Sequence, residues 1–183
     1  MSNKTAMHKI NLHIIEACNY RCRHCFAKFH SNSVLPINAW KDVVDNCLAS
    51  LNVSEFNIAG GEPLLYKDLL LLVQYIKSKD CECSIVTNGS LLTDEWIIEN
   101  AKHFKTIGIS VDSFYPTTLM KMGRIDFNGN YVSKSRLQKA CKLIKDHNPD
   151  CKIKINSVTV TIFKRSDFNH FPFIYLESFY FFK

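Results

Sequence analysis

The sequence contains no apolar run approaching the roughly 20 residues that a membrane-spanning helix requires. It also contains no unbroken run of five or six basic residues, although 23 Lys and Arg against 17 Asp and Glu give a formal net charge of +6. Direct binding of nucleic acid through a basic arm is therefore not expected. A small anionic ligand such as a nucleotide suits this charge better, and a basic surface without any ligand is the alternative.

The first nine residues lack the apolar core of a secretory signal peptide. We therefore expect a reducing cytoplasm rather than a secreted disulfide scaffold, despite the eight cysteines. Clustered cysteines in that compartment more often bind metal than form disulfides. Among the others, Cys47, Cys141 and Cys151 are predicted to be small buried apolar residues, and Cys81 and Cys83 receive no role.

Three cysteines, Cys18, Cys22 and Cys25, follow one another at spacings of four and three residues. Three thiolates at this spacing can converge on one iron–sulfur cluster from a single loop. They leave one iron of a four-iron cluster open to a substrate, whereas four cysteines would close the site. The alternative is a structural zinc ion, for which His24 or His30 would supply the fourth ligand.

Strand-like and helix-like segments alternate along the chain, without an internal repeat. Five such alternations predict an α/β fold, with a parallel sheet of right-handed βαβ units that forms a partial barrel. The predicted strands are 9–16, 55–59, 83–87, 106–111 and 152–161, and the predicted helices are 38–51, 64–78, 94–101 and 133–147.

The chain is predicted to divide at residue 162, into a core of residues 1–162 and an aromatic-rich tail of residues 163–183. The tail contains nine aromatic residues and shows neither helical nor strand periodicity. Either the tail covers the open edge of the fifth strand, or the chain is truncated and the tail replaces a missing end of the barrel.

Polar motifs follow the ends of successive predicted strands, where sites gather in parallel α/β folds. Gly60-Gly61-Glu62 follows the second strand, and Asn88-Gly89-Ser90 follows the third. Asp112-Ser113 follows the fourth strand, and Asn156-Ser157 lies within the fifth. These motifs and the cysteines are therefore expected to share one edge of the sheet.

Together, these motifs resemble those of radical S-adenosylmethionine (SAM) enzymes, and more specifically viperin and its prokaryotic relatives, the radical SAM nucleotide dehydratases. The resemblance covers residues 10 to 160 in order and spacing. The matching runs are residues 17–26, 57–63, 84–91, 109–114, 122–124 and 154–158.

The resemblance implies a radical SAM barrel, of which about five strands are present, and assigns roles to individual residues. Cys18, Cys22 and Cys25 would hold a [4Fe-4S] cluster whose free iron chelates SAM. Gly60, Gly61, Glu62, Ser110, Arg124 and Asn156 would contact SAM, with Glu62 accepting from its ammonium group. Lys154 would contact the phosphates of the substrate. Asn88 and Ser90 would reach the ribose of the substrate or of SAM, and the alternative is that they only form the turn after the third strand.

In viperin-like enzymes, a 5′-deoxyadenosyl radical removes the 4′ hydrogen of a ribonucleoside triphosphate, typically CTP. The product is a 3′-deoxy-3′,4′-didehydro nucleotide that terminates viral RNA synthesis. The resemblance thus implies a lyase of antiviral (antiphage) defence with a flavodoxin- or ferredoxin-like electron donor. It implies no membrane partner, because the amphipathic helix of animal viperins is absent. A radical SAM enzyme for another small molecule or a peptide, and an inactive fragment that binds a cluster or zinc, are the alternatives.

The sequence departs from the family pattern at three places. Glu55 stands where the family usually has a lysine, and a carboxylate there would repel a triphosphate. His24 stands where an aromatic residue commonly precedes the third cysteine. No sixth strand with an Arg-x-Lys triphosphate pair is recognisable after Val160.

Overall fold

The structure is a computed structural model of the 183-residue chain, and it describes residues 7–25, 34–159, 174–175 and 179–181. Its centre is a parallel sheet in which five strands lie side by side in chain order, as predicted. These strands are β1 (His8–His13), β2 (Val53–Ala59), β3 (Glu82–Thr87), β4 (Thr106–Ser110) and β5 (Lys152–Thr159). The predicted α/β partial barrel is therefore confirmed.

Within the described ranges, the connections between these strands contain five α-helices: α1 (Ile37–Ser50), α2 (Leu69–Lys77), α3 (Asp94–Asn100), α4 (Pro116–Met122) and α5 (Lys134–His147). The α3 helix begins after Thr93, whose side chain accepts a hydrogen bond from the Trp96 amide, as expected for an N-cap. Ser133 caps α5 in the same way by accepting from the Arg136 amide.

Two helix predictions need correction. The predicted helix over 64–78 is a 3-10 turn, Pro63–Leu65, followed by a helix that begins only at Leu69. The Glu62 carboxylate accepts from the Leu64 amide, which stabilises the separate turn. The α4 helix was missed, although Pro116 at its first position and Gly123 just beyond its end are typical helix boundary signals.

The two faces of the sheet differ in polarity because side chains alternate along each strand. Phe56, Ile85, Ile107 and Ile153 are buried in the apolar core beneath the helices. Cys141 and Cys151 belong to the same core, as predicted, and so do Cys81 and Cys83, whereas Cys47 packs against it half-buried. The opposite face carries polar residues such as Ser110 and Asn156, which line the interior of the partial barrel.

Two short strands from the aromatic-rich tail extend the sheet beyond β5. They are β6 (Ile174–Tyr175) and β7 (Phe179–Phe181), and both pair with β5 in parallel. Sequence analysis had assigned the tail no regular element. The predicted boundary at residue 162 and the remaining tail residues lie outside the described part of the chain.

Among the described residues, none of the helices combines the length and apolar character needed to cross a bilayer.

Candidate active site

A cavity of about 480 Å³ lies at the carboxyl ends of the strands, where the sequence motifs were expected to meet. Its volume falls within the range of about 300–1,000 Å³ typical of small-molecule sites. Most of the predicted site residues line it, namely Cys18, Cys22, Cys25, Gly60, Gly61, Asn88, Ser110, Arg124 and Asn156. Glu62, Ser90 and Lys154, which were also predicted as ligand contacts, do not.

The glycines after β2 support the backbone that leads into the cysteine loop, residues 15–25. The Gly61 amide donates to the Ile15 carbonyl at 2.7 Å, and the Glu62 amide donates to the Ala17 carbonyl at 2.9 Å. A Cβ at Gly61 would lie 2.2 Å from the Ala17 oxygen. The group that approaches Gly61 closely is therefore the cysteine loop, and contact of these glycines with SAM stays a prediction.

Glu62 joins the end of β2 to the end of β3. Its fully buried carboxylate accepts from the Leu64 amide at 3.1 Å, the Thr87 hydroxyl at 2.7 Å and the Asn88 amide at 2.7 Å. Burial raises the pKa of Glu62 although these three hydrogen bonds favour the ionised form. Contact with the ammonium group of SAM remains a prediction for this residue.

Three polar side chains link the cysteine loop to the turn after β3. Asn88 Nδ2 donates to Asn19 Oδ1 at 2.8 Å, and Asn19 Nδ2 donates to Ser90 Oγ at 2.9 Å. Ser90 Oγ in turn donates to Asn88 Oδ1 at 2.6 Å, which closes a ring. Sequence analysis missed Asn19, whose only signal was its position next to Cys18.

A second support for the cysteine loop comes from the residues that end α4. The Arg21 amide donates to the Gly123 carbonyl at 3.1 Å, and the Arg23 amide donates to the Met122 carbonyl at 2.8 Å. Gly123 has a φ of +69°, and a Cβ there would lie 2.2 Å from the Arg21 oxygen. Glycine is therefore required at this position for both conformation and space.

Arg124 is buried between the cysteine loop and the end of β4. Its Nη1 donates to Cys22 Sγ at 3.4 Å, its Nη2 donates to the Ser110 carbonyl, and its Nε lies 2.9 Å from Asp112 Oδ2. Burial opposes its positive charge, but the Asp112 carboxylate and Cys22 hold the pKa of Arg124 above its ordinary value. All three nitrogens of the guanidinium thus lie close to acceptors in the protein, and its outer surface lines the cavity.

Asp112 connects three segments around the cavity. Its Oδ1 accepts from the Val158 amide of β5 at 2.8 Å, and its Oδ2 lies 3.3 Å from His24 Nε2 in the cysteine loop. Burial alone would raise the pKa of Asp112, but His24, Arg124 and the Val158 amide hold it below its ordinary value. Sequence analysis recognised Asp112 only as a residue that follows the fourth strand.

The three cysteines that line the cavity match the donor set of a four-iron cluster with one open iron. Within the described part of the chain, no three His, Cys, Asp or Glu side chains are close enough to bind one metal ion. Zinc requires all its ligands within about 2.3 Å of one point, whereas the thiolates of a four-iron cluster each bind a different iron. His30, an alternative zinc ligand, lies outside the described residues.

Burial raises the pKa of the Cys18 and Cys22 thiols. Arg124 opposes this rise at Cys22, through its charge and its hydrogen bond. Coordination to iron requires the thiolate form, so cluster binding would release these protons.

Ser110 and Asn156 are neighbours across β4 and β5, and both line the cavity. Lys154 lies two residues before Asn156 on the same side of β5 and is half-buried. The register pairs it with Gly108 of β4, two residues before the Ser110–Asn156 pair. This places Lys154 deeper in the barrel than the residues that line the cavity.

Glu55, one of the three departures from the family pattern, is 5% exposed. It accepts a hydrogen bond from Ser84 at 2.6 Å and lies 3.1 Å from the ammonium group of Lys9 and 3.8 Å from that of Lys105. Burial alone would raise the pKa of Glu55, but these three groups hold it below its ordinary value. Its negative charge is therefore balanced by lysines of this chain.

A family model, described as the radical SAM superfamily, matches residues 12–171. The chain belongs to the radical SAM superfamily. This superfamily uses a [4Fe-4S] cluster and SAM, which agrees with the cluster predicted from the cysteine spacing and with the SAM implied by the resemblance.

Among relatives in this superfamily, an S-adenosylmethionine-dependent nucleotide dehydratase from Selenomonas ruminantium is 38% identical over 157 residues, covering 85% of this chain and 57% of the relative. A protein of the same name from Fibrobacter sp. (strain UWH6) is 36% identical over 160 residues, covering 81% of this chain and 46% of the relative. The chain therefore spans about half the length of the curated relatives it matches.

Solved radical SAM structures share the fold at lower identity. Streptococcus suis SuiB bound to S-adenosylmethionine has a TM-score of 0.67 at 19% identity, covering 84% of this chain and 34% of SuiB. The enzyme anSMEcpe bound to AdoMet and a peptide has a TM-score of 0.62 at 22% identity, covering 83% of this chain and 43% of that enzyme. These likenesses support the partial barrel.

Proposed function

We propose that this chain is the core of a radical SAM nucleotide dehydratase, a lyase that converts a CTP-like ribonucleoside triphosphate to its 3′-deoxy-3′,4′-didehydro analogue. Its biological role would be antiviral (antiphage) defence in the cytoplasm. A flavodoxin- or ferredoxin-like protein would supply the electrons. The names of the relatives that share 36–38% identity with the chain support the substrate class.

One structural observation carries the proposal. The three cysteines, Arg124 and the Ser110–Asn156 pair surround a single cavity of about 480 Å³. A cavity of this kind brings a cosubstrate held at the cysteines next to groups that can hold a second ligand. Radical chemistry on a nucleotide requires that proximity.

The bound cofactors carry the difficult chemistry and the protein positions them. When bound, the cluster and SAM supply an electron and a 5′-deoxyadenosyl radical for removal of the 4′ hydrogen, after which water is lost and one electron and one proton are added. Ser110 and Asn156 offer a hydroxyl and an amide that can orient a carboxylate or ribose. Val86 and Val158 give the same cavity apolar walls that limit access of water.

The positive charge for the phosphates would come from deeper in the barrel. Lys154 lies below Asn156 on β5, where its ammonium group could meet a phosphate that enters past the cavity. Glu55 is already balanced by Lys9 and Lys105. The repulsion that its carboxylate would exert on a triphosphate is correspondingly reduced.

The proposal is tested by anaerobic reconstitution of the full chain with iron and sulfide. We expect a brown protein that absorbs near roughly 400 nm, as iron–sulfur clusters do. With SAM and a reductant, it should form 5′-deoxyadenosine in the presence of a ribonucleoside triphosphate. CTP, UTP, GTP and ATP are compared, and the dehydrated nucleotide is identified by mass spectrometry.

The other outcomes separate the alternatives. Cleavage of SAM at the same rate with and without nucleotide would reject the nucleotide substrate, and peptides would then be tested. Stoichiometric zinc without SAM cleavage would instead identify an inactive metal-binding fragment.

A further inference from the structure

The ring formed by Asn19, Asn88 and Ser90 uses most of the hydrogen-bonding capacity of the Asn88 side chain. Asn88 Oδ1 accepts from both the amide and the hydroxyl of Ser90, at 2.9 Å and 2.6 Å. One N–H of the Asn88 amide points to Asn19 Oδ1, and the group also lies 3.9 Å from Cys18 Sγ. Since a side-chain amide has only two N–H donors, little capacity is left for a substrate ribose.

The ring is anchored to a rigid part of the barrel. The backbone amide of Asn88 donates to the carboxylate of Glu62 at 2.7 Å, and Glu62 is completely buried. Asn88 itself is 8% exposed. The position of Asn19, and with it the adjacent Cys18, is thereby tied to the ends of β2 and β3.

We infer that Asn19, Asn88 and Ser90 are positioning residues for Cys18 rather than substrate contacts. The ring holds the Cys18 side of the cysteine loop, while the Met122–Arg124 segment holds the Cys22 side. Both supports come from segments distant in sequence. The inference rests on the cluster-binding part of the proposed function and is independent of the substrate that is converted.

Two consequences follow for a bound cluster. A loop already held in position loses less conformational entropy when it binds the cluster, so the cluster should dissociate more slowly. The Asn88 amide also directs an N–H towards the Cys18 sulfur. Hydrogen bonds to cluster sulfurs stabilise the more negative, reduced state and raise the reduction potential.

The test compares Asn19→Ala, Asn88→Ala, Asn88→Asp and Ser90→Ala in the full reconstituted chain. Asn88→Asp keeps the size and an acceptor oxygen but replaces the N–H donors with a negative charge, Asn88→Ala removes the donors without adding charge, and Ser90→Ala removes only a hydroxyl. We expect Asn19→Ala and Asn88→Ala to lose iron to a chelator about tenfold faster than the unmodified chain.

The midpoint potential of the cluster, followed by electron paramagnetic resonance, should become more negative in Asn88→Ala and Asn88→Asp. Binding of CTP should change by less than about twofold in all four variants.

Asn148→Ala provides the matched control. Asn148 Nδ2 donates to the Ala101 and Phe104 carbonyls at 3.0 and 3.1 Å, near the start of β4 and away from the cavity. This variant loses comparable amide hydrogen bonds, and its iron should be retained as in the unmodified chain.

Normal iron retention and potential in the ring variants, with CTP binding weakened about tenfold or more, would overturn the inference in favour of substrate contact. Equally rapid iron loss in Asn148→Ala would also overturn it, because general destabilisation would then explain the effect. The measurements on the cluster need no substrate. If the chain converts no nucleotide, the proposed function is rejected. The rate of iron loss and the midpoint potential still test the positioning role.

Discussion

The guanidinium of Arg124 lies 3.4 Å from the sulfur of Cys22, a residue 102 positions earlier in the chain. The same guanidinium lies 2.9 Å from the Asp112 carboxylate. The positive charge beside a cysteine of the cluster site is thus itself balanced by a buried acid. The charge of Arg124 opposes the burial that raises the pKa of Cys22, and Asp112 limits the cost of burying the arginine.

Arg124→Ala should reduce both stability and cluster content, because it leaves the Asp112 carboxylate buried without its closest cation. Removal of one partner from a buried ion pair costs about 3–5 kcal/mol. The free energy of unfolding is measured by urea titration of the cluster-free protein. The double variant Arg124→Ala/Asp112→Asn should recover part of the loss, and equal losses in the single and double variants would contradict the pairing.

Cys22→Ala should abolish cluster assembly and all cleavage of SAM, since two thiolates cannot hold a cluster with one open iron. Iron and sulfide per chain are measured after reconstitution. Cys47→Ala, on α1, is the control and should assemble the cluster normally. Retention of iron and activity by Cys22→Ala would refute the role of the three cysteines.

Gly61→Ala should displace the cysteine loop, because the added Cβ would meet the Ala17 backbone oxygen at 2.2 Å. We expect a loss of about 1–3 kcal/mol in the free energy of unfolding, and poor cluster assembly. Gly129→Ala is the matched control: its φ of +81° is also unfavourable for alanine, but a Cβ there meets no atom within 4 Å. It should cost about 1 kcal/mol and assemble a full cluster. Equal iron contents in the two variants would argue against the steric explanation.

Lys154→Ala should weaken binding of CTP about tenfold while it changes binding of SAM little. A charge-assisted hydrogen bond to phosphate contributes about 1.5–3 kcal/mol, and SAM has no phosphate. Both affinities are measured by isothermal titration calorimetry. Lys152→Ala, at the exposed start of the same strand, is the control. Equal losses for the two ligands would reject the phosphate assignment.

Glu55→Gln should remove a pH-dependent part of the stability. The folded-state pKa of Glu55 is lowered relative to its unfolded value, so its ionised form stabilises the fold above the unfolded pKa. That contribution is lost as the pH falls through the folded pKa. Unfolding free energies at pH 7 and at lower pH should therefore differ more for the unmodified chain than for Glu55→Gln. Parallel pH profiles would show that Lys9 and Lys105 do not stabilise the carboxylate.

Much of the fold and part of the site follow from local patterns in the sequence. Alternation of strand-like and helix-like segments predicted the five parallel strands, and the predicted helix over 94–101 matches α3. The spacing of Cys18, Cys22 and Cys25 predicted a shared site, because residues so close in sequence can share a loop whatever surrounds them. The motifs after the strands were expected at one edge of the sheet, because parallel strands all end at the same edge.

Only the tertiary structure assigned partners to these residues. Sequence analysis placed Asn88, Ser90 and Glu62 at ligands, and the structure adds hydrogen bonds to one another, to Asn19, to the Thr87 hydroxyl and to neighbouring backbone. The hydrogen bonds between Gly123 and Arg21 and between Arg124 and Cys22 were not predicted, because they join segments about 100 residues apart. Residue type and spacing determine which chemistry a side chain can perform. The packing of distant segments decides whether that side chain forms hydrogen bonds with a ligand or with the protein. A donor and an acceptor form a hydrogen bond only when the fold brings them within about 3 Å of each other.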